Sequence, residues 1–127
     1  MEGLSRKSSS QNSRGLRRIG PALRYSFAGL GAAFRHEAAF RQEVMLALIL
    51  VPTALLLPVN ALGKALMIGS ALLVLIVELI NSAIEASVDR VSLESHPLAK
   101  RAKDLGSAAV FMSLVNAAAI WLLVLLG

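Results

Sequence analysis

Cysteine is absent, so neither a disulfide framework nor a thiolate metal site can form. Charge is scarce: 17% of residues are charged and 56% are apolar, too little polar material to cover a soluble monomer. Aromatics are scarce too, with one Trp and one Tyr. A net charge of +5 could suggest nucleic acid, but a hydrophobic chain so poor in aromatics fits that partner badly. No short apolar core followed by a small-residue cleavage site opens the chain, so the N-terminus is expected to be retained. Neither G-x-x-x-x-G-K-[ST] nor the Gly-rich and catalytic-loop signatures of protein kinases occur. The expectation is one small all-α membrane domain of 127 residues, whose chemistry, if it has any, is done by side chains on apolar helices.

What is present comes in blocks. Residues 1–15, MEGLSRKSSSQNSRG, have almost nothing to bury and are expected to form a disordered tail. Residues 16–127 form the membrane domain. Gly20 and Pro21 are expected to open a helix over 21–43, since Pro is tolerated in a first turn. Leu23, Phe27, Leu30 and Phe34 recur at helical spacing beside Arg24, Arg35, His36 and Arg41. That pattern predicts an amphipathic helix lying in the membrane interface.

Three apolar runs follow, predicted to span the membrane at about 44–62, 65–88 and 105–127. The first has no charge over 19 residues, or roughly 28 Å of helix, enough to cross a bilayer core. Pro52 is expected to kink it, and Asn60, Gly63 and Lys64 to turn the chain. Gly106, Ser107, Ala108 and Ala109 open the third run with small side chains that let a neighbouring helix come close. Eight Lys/Arg precede the first run, one lies in the turn, and Arg90, Lys100, Arg101 and Lys103 separate the second run from the third. By the positive-inside rule the N-terminus is cytoplasmic and the C-terminus outside.

The second run carries polar residues at odds with its surroundings. At about 100° per residue, Glu78, Asn81, Ser82, Glu85 and Asp89 fall on one stripe. Glu78 lies roughly 20 Å along the helix and Glu85 roughly 30 Å, near the interface. A carboxylate in hydrocarbon costs on the order of 3 kcal/mol unless paired, protonated or facing a wet cavity. Helix association alone would explain one such residue; an aligned stripe points to metal ions or substrates. Oxygen ligands with no Cys and two His suit a hard cation such as Mg²⁺, which keeps waters and binds phosphate oxygens. Glu37 and Glu43 are expected level with Glu85, and Glu43, Lys100 and Arg101 taken singly look like solvated charges. Acids for a metal beside cations for phosphate, at headgroup depth, suit phosphoryl transfer to a lipid.

EAAFRQE (Glu37–Glu43), VELINSAIEASVDR (Val77–Arg90) and RAKDLGSAAV (Arg101–Val110) resemble the small prokaryotic diacylglycerol kinases. The resemblance runs from about Arg18 to the C-terminus without a large gap. It implies a homotrimer of three-span protomers in the bacterial inner membrane, each with an N-terminal interfacial helix. It also implies transfer of the γ-phosphate of ATP, with Mg²⁺, to the primary hydroxyl of diacylglycerol, giving phosphatidic acid. Glu78 matches the general base, and its depth suits that task. Asn81 is the polar residue one turn away. Glu37 and Glu85 match the metal-binding carboxylates, which also contact ATP. Asp89, Lys103 and Asp104 match nucleotide contacts, with Glu94, Ser95 and His96 more loosely so, and Arg18 and Tyr25 match N-terminal positions near nucleotide and lipid. Ala39, Phe40, Arg41, Gln42, Glu43, Ser107 and Trp121 match the wall that faces the lipid, as does Glu78 itself.

Two positions depart from the family. Phe27 stands where Trp is frequent and Gly31 where Arg occurs; both lie on the interfacial helix, leaving the acidic stripe untouched. Relatives with much the same stripe phosphorylate undecaprenol, but DLGSA (Asp104–Ala108) is closer to the diacylglycerol-using branch. A small multidrug or cation transporter would also carry a membrane Glu, though usually one near the midplane among aromatics.

Overall fold

The computed structural model describes residues 2–91 and 96–127, with side chains from residue 15 onward. The described residues form four α-helices and no strand: α1 (Glu2–His36), α2 (Ala38–Leu56), α3 (Ala61–Val91) and α4 (Pro97–Leu126). The last three are long and apolar enough to cross a membrane. The chain divides into two compact units, Met1–Ala32 and Ala33–Gly127.

The first unit is a single helix. It starts at Glu2 rather than near Pro21, which lies inside it. No proline precedes Pro21, and a shortage of apolar side chains limits what a segment can bury rather than the backbone shape it takes. Leu23, Phe27 and Leu30 are exposed along it.

The second unit begins where α1 stops. Helical structure was expected to continue through Glu43; instead Glu37 is extended (φ −114°, ψ 106°) and α2 starts at Ala38. The break strands the last carbonyls of α1. Arg41 supplies donors for them, its guanidinium reaching Phe34 O at 2.8 Å and Arg35 O at 3.0 Å. Ala38–Glu43 therefore belong to the first apolar helix, not to the interfacial one.

Helix α2 ends at Leu56, six residues short of the expected Leu62, because Leu57 precedes Pro58 and residues before proline avoid the helical region. The connection is short and well capped. Leu57 N–H donates to Thr53 O (3.0 Å) and Lys64 Nζ to Leu55 O (2.7 Å). Asn60 Oδ1 accepts Gly63 N–H at 2.8 Å, an N-cap that starts α3 at Ala61 rather than Ala65. At the other end, His96 Nδ1 accepts Leu98 N–H (3.1 Å) and Pro97 takes the first turn of α4, so this helix begins eight residues before the apolar run at Leu105.

Helix α3 is central and packs against both α2 and α4. Its buried face reads Met67, Ser70, Ala71, Val74, Glu78, Asn81, steps of three and four that keep one stripe inward. Trp121 of α4 ties into the apolar half of that face: its indole N–H lies 3.1 Å from Met67 O and 3.2 Å from Ser70 Oγ. Little else that is large is buried. Leu48, Ile49, Phe111 and Leu123 are among many large apolar side chains that point outward, as expected where the surroundings are lipid or another protein rather than water.

Candidate active site

The inward stripe of α3 changes character one turn below Val74. Glu78 is 5% exposed and Asn81 7%, and Ser82 and Glu85 are half-buried beside them. The helical period that places Met67 and Val74 in the core therefore places carboxylates there as well.

From α2, Glu43 meets Glu78, and the two carboxyl groups are hydrogen-bond neighbours. Glu43 Oε2 is buried and finds no N–H or hydroxyl donor. The expectation of a solvated Glu43 is corrected here. Because α2 starts at Ala38, Glu43 sits about 8 Å inside that helix, level with Glu78 rather than with Glu85. Glu37 and Glu85 remain close enough to act electrostatically on Glu78.

Asn81 links the stripe to α4. Its Nδ2 donates to Glu85 Oε1 at 3.3 Å, while Oδ1 lies against Gly106, where an added Cβ would collide with it. Gly106 is thus required by Asn81. Among the described residues, the buried side-chain oxygens without a partner are Glu43 Oε2, Asn81 Oδ1 and Ser82 Oγ. All three lie on or against this stripe. Buried polar groups are normally satisfied, so this concentration marks a place prepared for something to bind. Ser82 had a place on the stripe but no role assigned from sequence, although its position one turn from Glu78 was the available signal.

Further along, Lys103 of α4 contacts Asp89 of α3 at 2.5 Å, and Asp104 pairs with Lys100 at 2.6 Å. Lys103 and Asp89 are thus brought together as the sequence suggested, while Asp104 is engaged on its own helix. His96 is exposed and caps α4; Glu94 and Ser95 lie outside the described residues. A cavity of about 540 Å³ lies here, lined by Ser87, Val88, Val91, His96, Leu98 and Ala99.

The residues matched to a lipid-facing wall scatter. Ala39, Gln42 and Ser107 are exposed, Phe40 is buried, and Arg41 caps α1. Trp121 contacts α3 at Met67 and Ser70, about 12 Å or more from Glu78 along the helix. Arg18 and Tyr25 belong to the first unit, where both are exposed.

No group of three or more His, Asp or Glu among the described residues is poised to enclose a metal alone. Glu37 and Glu85 flank Glu78, with an unpartnered amide oxygen at Asn81. Such a set suits Mg²⁺, which takes one or two carboxylates and completes its octahedron with water and phosphate oxygens.

Comparison with known proteins adds to this geometry. The profile of a family described as prokaryotic diacylglycerol kinase matches residues 24–125. The chain is 58% identical over 113 residues to a Diacylglycerol kinase of Pseudomonas aeruginosa, covering 89% of this chain and 92% of that one. It is 48% identical over 114 residues to the Diacylglycerol kinase of Escherichia coli K12, covering 90% and 93%. A Helicobacter pylori Diacylglycerol kinase is 44% identical over 108 residues, covering 85% and 84%.

Proposed function

The chain belongs to the prokaryotic diacylglycerol kinase family, and on that premise we propose that it is a membrane lipid kinase. It transfers the γ-phosphate of ATP to the primary hydroxyl of 1,2-diacylglycerol, giving phosphatidic acid. The observation that carries this reading is the set of unpartnered buried oxygens around Glu78 on helices otherwise fit for lipid.

Glu78 takes the proton of the lipid hydroxyl as its oxygen attacks the γ-phosphorus. A base buried within apolar helices is at a depth that a lipid glycerol can reach and that water reaches poorly. Asn81 holds Glu85 and presents its free oxygen to the same space. Glu37 and Glu85 would hold Mg²⁺, which supplies charge neutralisation to the β- and γ-phosphates when bound. Lys103 contributes a cation for phosphate and Asp89 holds it ready. The apolar lining of the cavity between the ends of α3 and α4 suits a flat nucleotide base.

The surrounding architecture follows the same reading. Helix α1 lies in the cytoplasmic interface, a reading supported by exposed Leu23, Phe27 and Leu30 beside a run of basic residues. The charge asymmetry supports a cytoplasmic N-terminus and an external C-terminus in the inner membrane. The outward apolar faces of α2–α4 support a trimer in which neighbouring protomers cover part of what one chain leaves bare.

The test offers diacylglycerol and undecaprenol in parallel, in mixed micelles with Mg²⁺ and labelled ATP. Label in phosphatidic acid is expected. Label only in undecaprenyl phosphate would overturn the substrate, and no transfer to either would overturn the kinase reading.

A further inference from the structure

We infer that Glu43 is a positioning residue for Glu78: the two carboxyl groups share one proton, and this bond aims the Glu78 carboxyl at the incoming hydroxyl. The inference rests on the kinase reading for its consequence, but on geometry for its existence.

Two carboxyl groups can be hydrogen-bond neighbours, as Glu43 and Glu78 are, only if a proton lies between them. Nothing else nearby supplies one. Glu43 Oε2 has no other donor. On the far side of Glu43 lies a cavity of about 50 Å³ whose remaining walls are apolar, among them Leu46, Ala47, Ala71, Val74 and Leu114. A buried water there would find Glu43 as its sole polar side-chain partner, whereas such waters usually make about three hydrogen bonds. The cavity is therefore dry, and Glu43 exchanges protons through Glu78.

Neutralisation by a cation is also missing. On α2, Arg41 is committed to Phe34 O and Arg35 O. On α3, Lys64 reaches Leu55 O, at the far end of the helix. On α4, Lys100 and Lys103 are paired with Asp104 and Asp89. The charged groups that act on Glu78 from nearby are Glu37 and Glu85, both acidic.

In the reaction, the hydroxyl O–H bond breaks and its proton passes to Glu78. The lipid O–P bond forms as the bond from the γ-phosphorus to the bridging oxygen breaks, its electron pair leaving with ADP. The acid pair then holds two protons and returns one to water past Glu85. Glu43 gains and loses no bond to substrate; it fixes the orientation of the group that does.

The experiment compares wild type, Glu43→Gln, Glu43→Asp and Glu78→Gln in micelles. Infrared spectra at neutral pH should show a carboxylic-acid C=O stretch that shifts in D2O and is lost in both Gln variants. In Glu43→Gln, kcat should fall about a hundredfold, with KM for both substrates held within about twofold and the melting temperature unchanged. Glu43→Asp should recover part of kcat. An active wild type without the band overturns the pair and leaves the kinase standing. An inactive wild type with the band overturns the kinase and leaves the shared proton standing. Full kcat in Glu43→Gln overturns the positioning role.

Discussion

At the scale of single residues, Gly106 and Asn81 form the tightest constraint in the second unit. Adding one methyl at Gly106 forces Asn81 Oδ1 out of its place and so disturbs the Asn81–Glu85 bond. Gly106→Ala should lower stability by about 1–3 kcal/mol, as overpacking does, and should also depress kcat, read by thermal unfolding beside the micelle assay. Trp121→Phe should separate the two effects. It removes the indole donor from Met67 O and Ser70 Oγ and should cost about 1 kcal/mol, with KM and kcat near wild type, since this contact lies in the apolar half of α3. Unchanged stability there, or a collapse of kcat, would contradict that division. Lys103→Met should leave the melting temperature nearly unchanged, because exposed ion pairs contribute little. It should raise KM for ATP about tenfold through the lost charge-assisted contact.

Among the elements, the junction of α1 and α2 depends on Arg41. Arg41→Ala leaves the Phe34 and Arg35 carbonyls without that donor and should destabilise the junction by about 1 kcal/mol. Hydrogen exchange should quicken at amides 36–40 while α3 keeps its protection. This junction was also where sequence reasoning fell short. HEAAF carries no Gly, Pro or capping Ser/Thr/Asp, so nothing local marked Glu37 as a break. The missed break placed Glu43 too shallow. The spans themselves were legible because apolar length is a strong signal, and the inward stripe of α3 because 3.6-residue periodicity is. Helix starts at Ala61 and Pro97 were readable in principle from Asn60 and His96-Pro97, yet the charge-free runs drew attention away from these caps. Partners across helices, such as Asn81 with Gly106 or Glu43 with Glu78, depend on the relative depth of two helices, which one-dimensional spacing does not encode.

For the molecule as a whole, the buried core of one chain is thin. It is built from Ala33, Phe40, Ala47, Ala54, Met67, Ala71 and Val74 beside a few polar residues. Most hydrophobic side chains gain their stabilisation from whatever surrounds the protomer. Detergent-solubilised protein should therefore sediment as an oligomer, three copies on the present reading, and should lose activity on dilution into detergent without lipid. A stable active monomer would contradict that.

The inward face of α3 gives a last consequence. Met67, Ser70, Ala71 and Val74 lead without interruption into Glu78, Asn81 and Ser82, so one ruled line is both keel and workbench. A saturation screen scoring cellular abundance and turnover separately would find two populations of harmful variants along it. Those above Val74 would be missing from the membrane; those from Glu78 downward would be present and idle. The changeover would occupy a single turn of helix.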